Sequence, residues 1–332
     1  MIVVNIVPTG LGACIGGYCG DANPSSKLIA SVCDTLITHP NVVNGADINE
    51  MTENTLYVEG SILDEFLWGR IKLERVKSNR VLVAVGPPLK NETINAVSAA
   101  RATIGLDAFI VEFETPLIMK ATKGKNGEAS GEVTGWRELL SQVSKYDFDA
   151  LAIASVIDCP KEIALDYFDN GGVNPWGGVE AIASKLIAAE VRKPVAHAPI
   201  ESSTLDPKDY DLVGYPPAAS ELISECYIHC VMKGLHKAPR ISTKGISCKD
   251  VDILVTPEGC WDEPHEACLK NGITILRVSS NVLSVPHTKR TEGIRVENYY
   301  EAVGMIKALD IGISLDSMQR PMPQTEVYRI RK

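Results

Sequence analysis

Nine short runs rich in Val, Ile and Leu punctuate this chain, and none alternates cleanly between apolar and polar residues. They are Ile2–Val7, Thr35–Thr38, Thr55–Val58, Arg80–Val85, Ala108–Phe113, Asp149–Ala154, Pro194–His197, Val251–Thr256 and Ile273–Val278. A run of about 4–7 residues without a polar face describes a strand covered on both sides, as in parallel sheets. Helical patterns fill the intervals. Asn23-Pro24 is a helix-start signal before Ser25–Cys33, and Glu92–Ile104, Trp136–Ser144, Gly178–Glu190, Ala218–Leu235, Pro264–Asn271 and Asn298–Asp310 follow. Strands alternating with helices predict an α/β fold with a mostly parallel, Rossmann-like sheet flanked by helices. Two lobes are expected, residues 1–238 and 239–332, with the boundary at Pro239–Lys249 and the second lobe completing the site.

Aromatics are only 6% of the 332 residues, so aliphatic side chains must fill the core. A formal net charge of −9 disfavours nucleic acid as a partner, because that binding depends on Lys and Arg neutralising phosphates. No apolar stretch approaches the ~18 residues of a membrane span. The N-terminus MIVVNIVPTG reads as a strand rather than a basic leader, and the nine scattered cysteines read as free thiols. Together these features predict a cytoplasmic protein without a membrane partner, and leave homo-oligomerisation open. Cys226, His229 and Cys230 share a helical stretch but lack a second ligand pair, so helix packing is expected there and no metal site. Lys120–Gly135 is polar and glycine-rich. It is expected to form a surface loop or extended hairpin, with a lid carrying Lys120, Lys123 or Lys125 as the alternative.

The most specific segment follows the first strand. Pro8–Pro24 reads PTGLGACIGGYCGDANP and holds Gly10, Gly12, Gly16, Gly17 and Gly20. Glycine permits positive φ and lets backbone amides converge on a polar or anionic ligand. Thr9, Gly10, Gly12, Gly16, Gly17, Asp21 and Asn23 are therefore candidate ligand-binding residues. The spacing G-x-G-x-x-x-G only loosely echoes a dinucleotide fingerprint. Here the helix waits until about Ser25, and the second strand ends in Thr38-His39-Pro40 without a carboxylate for a ribose. A second glycine turn, DNGGVNPWGG, opens a helix whose first amides, at Gly177 and Gly178, suit a carboxylate or phosphate.

Polar groups leave several strand ends: Thr9, His39, Glu59, Glu114, Asp158 with Cys159, His197 with Glu201, and Glu258 to Asp262. In one parallel sheet these ends would share a crevice, with His197 or His39 as proton carrier aided by Glu114 or Glu59. Cys260, just ahead of a helix start, is the candidate nucleophile, although Glu258 and Asp262 oppose its ionisation.

Four stretches carry a resemblance to a known family. They are IVPTGLGACIGGYCGDANP with THPNVVNGA; GVNPWGGVEAIASKLI with KPVAHAP; CVMKGLHKAPR; and DILVTPEGCWDEPHEACLKNGITILRVSSNVLSV continuing through VENYYEAVGMIKALDIGIS to QRPMP. Over nearly its full length the chain resembles the DUF3326 proteins, an uncharacterised family associated with cyanobacteria. It departs from that pattern at Glu258–Pro264. The resemblance implies a shared fold and a site near the glycine loop, and supplies no activity. The expectation is an enzyme of isomerase, lyase or hydrolase type acting on a small polar or anionic, carboxylate- or amide-bearing metabolite. No cofactor is assigned. The alternatives are a nucleotide-dependent (NAD or ATP) enzyme and a non-catalytic metabolite sensor.

Overall fold

The computed structural model describes residues 1–45, 48–200, 213–223, 227–285, 288–318 and 320–330. All nine aliphatic runs form strands, but they are shared between two sheets rather than one. The first sheet is entirely parallel and contains Ile2–Asn5, Thr35–Thr38, Thr55–Tyr57, Ile253–Pro257, Thr274–Val278 and Ile294–Val296. Numbered along the chain within this sheet, the strands lie side by side in the order 3-2-1-4-5-6. The second sheet is centred on Ala150–Asp158, flanked in parallel by Arg80–Val85 and Val195–Ile200, with Asp107–Glu112 outside Arg80–Val85. The polar segment after Pro116 is a hairpin, Ile118–Lys123 against Ala129–Thr134, joined to the second sheet at Ile157 and Asp158.

The missing alternation has a direct cause: both faces of both sheets are covered. In the first sheet Val3, Leu36, Ile253 and Leu276 pack on the helices Asn23–Ala30 and Tyr299–Asp310. Their neighbours Val4, Ile37, Leu254 and Ile275 point the other way. They join Leu82, Leu151 and Ile153 of the second sheet in one apolar cluster. The helices Gly60–Leu67 and Gly177–Val191 bridge it through Leu63, Phe66, Val179 and Ile187. Burying each such side chain stabilises the fold by about 1.5–3 kcal/mol. The outer face of the second sheet, with Val81, Val83, Ala152 and Ala196, is closed by Asn91–Thr103 and Ile228–His236.

Strands before and after residue 239 belong to the same sheet, since Val3 lies opposite Ile253. Arg240–Ser242 itself pairs with Lys72–Glu74. The predicted helix over 218–235 is a 3₁₀ turn, Pro216–Leu222, and a helix, Ile228–His236. Glu201 and Cys226 lie outside the described residues.

Candidate functional site

The loops leaving strands one to four of the first sheet open onto a cleft of about 520 Å³. Thr9, His39, Glu59 and Cys260 line it, one from each of these loops. The hairpin tip contributes Asn126 and Glu128, and the helix Gly177–Val191 contributes Lys185. Beside it lies an inner cavity of about 10 Å³, bounded by Thr9, Gly10, Gly16, Gly17, Cys19, Asn41, Asn174 and Gly177. That is room for about one water. Cleft and cavity share Pro8 and Thr9.

Glycine here serves packing more than a cradle. The amide of Gly16 donates to Asp21 Oδ1 at 2.6 Å and that of Gly17 to Ala13 O at 3.0 Å. The Gly177 amide donates to Asn174 Oδ1 at 3.1 Å, so neither glycine turn presents these donors to a ligand as the sequence suggested. Asp21 thus ties the loop to itself, and burial pushes its carboxyl up to about 7. Asn23 is likewise internal, donating to Gly20 O and Val43 O at 3.0 and 2.9 Å. Gly12 and Gly178 line neither space. A Cβ on Gly12 would sit 2.8 Å from Ser284 Oγ, and one on Gly178 2.3 Å from the Ala129 carbonyl carbon. Gly10 has φ +81° and its carbonyl accepts from the Ala129 amide at 2.9 Å, pinning the hairpin over the loop. Lys120, Lys123 and Lys125 stay on the exposed surface and do not line the cleft.

His39 is buried, and its Nε2 accepts the Val7 amide at 3.2 Å. Burial lowers its pKa to about 4, so the ring is neutral at pH 7 with that lone pair engaged. It fastens the first loop to the second, an arrangement that counts against the expected proton carrier. Burial pushes the Cys260 thiol up to about 12, so it is protonated at pH 7, which counts against the expected nucleophile. Glu114 is exposed and lines neither space; its amide bonds Gln142 Oε1 at 2.9 Å. His197 lies within the strand Val195–Ile200 of the second sheet. Its Nε2 lies 2.8 Å from Ser155 Oγ and its Nδ1 2.9 Å from Glu180 Oε1. These are the spacings of a nucleophilic triad, yet Ser155 and His197 are buried and line neither the cleft nor the inner cavity.

Glu59 caps the helix Gly60–Leu67, accepting the amides of Ser61 and Ile62 at 2.9 and 3.1 Å. One turn on, Asp64 faces the same cleft. Burial, then the charges of Glu59, Glu263 and Asp262, push its carboxyl up to about 7, while Lys185 pulls it down. Sequence reading missed Asp64 because this helix begins on a glutamate cap, outside the usual Ser, Thr, Asp and Asn. It also missed Glu221, a buried carboxyl raised to about 7 by burial. Glu221 receives the Tyr167 hydroxyl at 2.6 Å and the Cys19 amide at 3.2 Å, bracing the far end of the glycine loop. No sequence signal marked it. Among the described residues no group of three His, Cys, Asp or Glu is arranged to hold a metal ion, and no helix is long and apolar enough to cross a membrane.

Two doubly covered sheets with a polar cleft at the strand ends define the molecule as an α/β protein. The chain belongs to the DUF3326 family, proteins of unknown function, which it matches over residues 2–319. It is also similar to an uncharacterized lipoprotein of Synechococcus sp., at 36% identity over 93% of this chain and 91% of the relative. That relative overturns the cytoplasmic location expected from the N-terminus, for a lipoprotein is a membrane-anchored class. No solved structure matches the chain.

Proposed function

We propose that this protein is an enzyme that binds a small polar metabolite in the 520 Å³ cleft and acts on it by acid–base chemistry, of isomerase, lyase or hydrolase type. The position of the cleft carries the proposal. Strand order 3-2-1-4-5-6 reverses between Ile2–Asn5 and Ile253–Pro257, and the cleft opens where the loops after these two strands diverge. In Rossmann-like doubly wound sheets that crevice is where ligands bind. Asp64, poised near neutrality, is the acid–base group. The Thr9 hydroxyl, which accepts from Asn41 Nδ2 at 3.3 Å, holds the ligand at the neck of the inner cavity.

The test is a thermal-unfolding screen against metabolites of differing charge, since a ligand that binds only the folded state raises the melting temperature by mass action. A stabilising metabolite should lose its effect in Thr9→Val and Asp64→Asn. Equal stabilisation of both variants would place binding elsewhere. The same strand order also favours a nucleotide-dependent enzyme. Against it stand His39 in place of a ribose-binding carboxylate and the engaged amides of Gly16 and Gly17. Titration with NAD, NADP and ATP decides between the two, and no stabilisation by any of them is expected.

A further inference from the structure

We infer that the cleft selects a positively charged ligand, a small organic ammonium or guanidinium compound, and that Glu59 and Asp64 are the carboxylates that recognise it. This inference rests on the cleft being the ligand site.

Three observations converge on it. First, the hydrogen bonds of Glu59 all fall on Oε2, from the Ser61 amide and hydroxyl and the Ile62 amide. Its Oε1 has no partner among the described residues, although the side chain is more than nine-tenths buried at the cleft wall. That oxygen is open to the cleft, where a ligand N–H can reach it. Second, Asp64 lines the cleft four residues beyond Gly60 on the same helix, and its carboxylate makes no hydrogen bond among the described residues. Third, the surrounding charge is one-sided. Among the described residues, Glu128 and Asp262 bring the carboxylates on the lining to four, against one ammonium, that of Lys185. Such a wall repels phosphate and carboxylate ligands and draws cations, and the amides of Gly16, Gly17 and Gly177 are bonded internally. The sequence, read from its glycines, pointed to a polar or anionic ligand. The carboxylates that reverse the sign reach the cleft from separate elements at 59–64, 128 and 262.

Recognition would run through N–H donors of the ligand to Glu59 Oε1 and to Asp64, charge-assisted bonds that are stronger than neutral ones and that weaken with salt. Agmatine and putrescine are the probes, with glucose as the neutral control and inorganic phosphate and citrate as the anionic ones. Binding to the full chain is measured by calorimetry at pH 8 in low and high salt. One cation per chain is expected to bind, more weakly in high salt, with no binding of phosphate or citrate. Asp64→Asn and Glu59→Gln should each weaken the cation about tenfold or more, the scale of a lost charge-assisted bond. Glu138→Gln, which removes an exposed carboxylate on the helix Trp136–Val143, should leave binding unchanged. Cation binding that is equal in all three variants would mark diffuse counter-ion attraction and overturn the inference. So would absence of cation binding, or phosphate or citrate binding that is lost in Thr9→Val. The last outcome leaves the cleft standing as the ligand site. If no metabolite of any charge shifts the melting temperature, the site itself falls.

Discussion

Replacing Asp64 by Asn removes one ionisable group from the cleft while keeping the side chain's shape. The Asp64 carboxyl titrates at about 7 in the fold, against 3.8 for an unperturbed aspartate, a difference of about 3 units. At ~1.4 kcal/mol per unit the ceiling on the linked free energy is about 4 kcal/mol. Asp64 is partly exposed, and solvent screening brings a realistic figure to about 2 kcal/mol. The sign follows from which state holds the proton more tightly. The folded state does, so the unfolded chain releases it first as pH rises. Wild-type stability therefore falls between about pH 4 and pH 7 and levels off above. The Asn variant cannot ionise and should lose about 2 kcal/mol less over that interval. Urea unfolding of both proteins at pH 4 and pH 8.5 measures it. Asp21 and Glu221, also raised to about 7, slope both curves alike, so the difference between the curves isolates Asp64. Parallel curves for the two proteins would refute the packing-induced shift and with it the acid–base role of Asp64.

Other consequences are open to direct measurement. Gly178→Ala drives a methyl group into the Ala129 backbone, and should cost about 2–3 kcal/mol in urea unfolding as the hairpin is displaced. His197→Gln breaks the buried contacts to Glu180 and Ser155, and should cost about 3 kcal/mol in the same assay; an unchanged midpoint would show these contacts to be dispensable. Iodoacetamide at pH 8 should alkylate exposed Cys14 and spare Cys260 until urea is added, as read by peptide mass spectrometry; early labelling of Cys260 would restore it as a reactive thiol.

The strands were legible because burial on two faces writes itself locally, as in Val3 and Val4 or Leu36 and Ile37, where consecutive apolar residues serve opposite layers. Partnership was not legible. Nothing in Arg80–Val85 says that it neighbours Ala150–Asp158 rather than Thr55–Tyr57, so one crevice was expected where two sheets divide the strand ends. Thr9, His39, Glu59 and Cys260 did come together, because all four follow strands of the same sheet. His197 lies within a strand of the other sheet and does not line the cleft. Asn174 shows a further limit. Its asparagine-proline context announced a turn, but that its carbonyl would occupy the Gly177 amide depends on the folded geometry. The helix Lys161–Asn170 escaped notice because it starts on Pro160, with no side-chain hydrogen bond at its cap.

The strand beginning at Ile2 waits, during synthesis, for a neighbour encoded far downstream: the residue opposite Val3 is Ile253, 250 positions later. Closing so distant a pairing is slow, whereas the second sheet draws its strands from the middle of the chain and can organise while translation continues. The ligand-binding crevice is then the final feature to mature. A chain stalled between His236 and Ile253 would own the strands of the interior sheet and half a binding pocket, with the uncovered edge of its first strand exposed to chaperones and proteases.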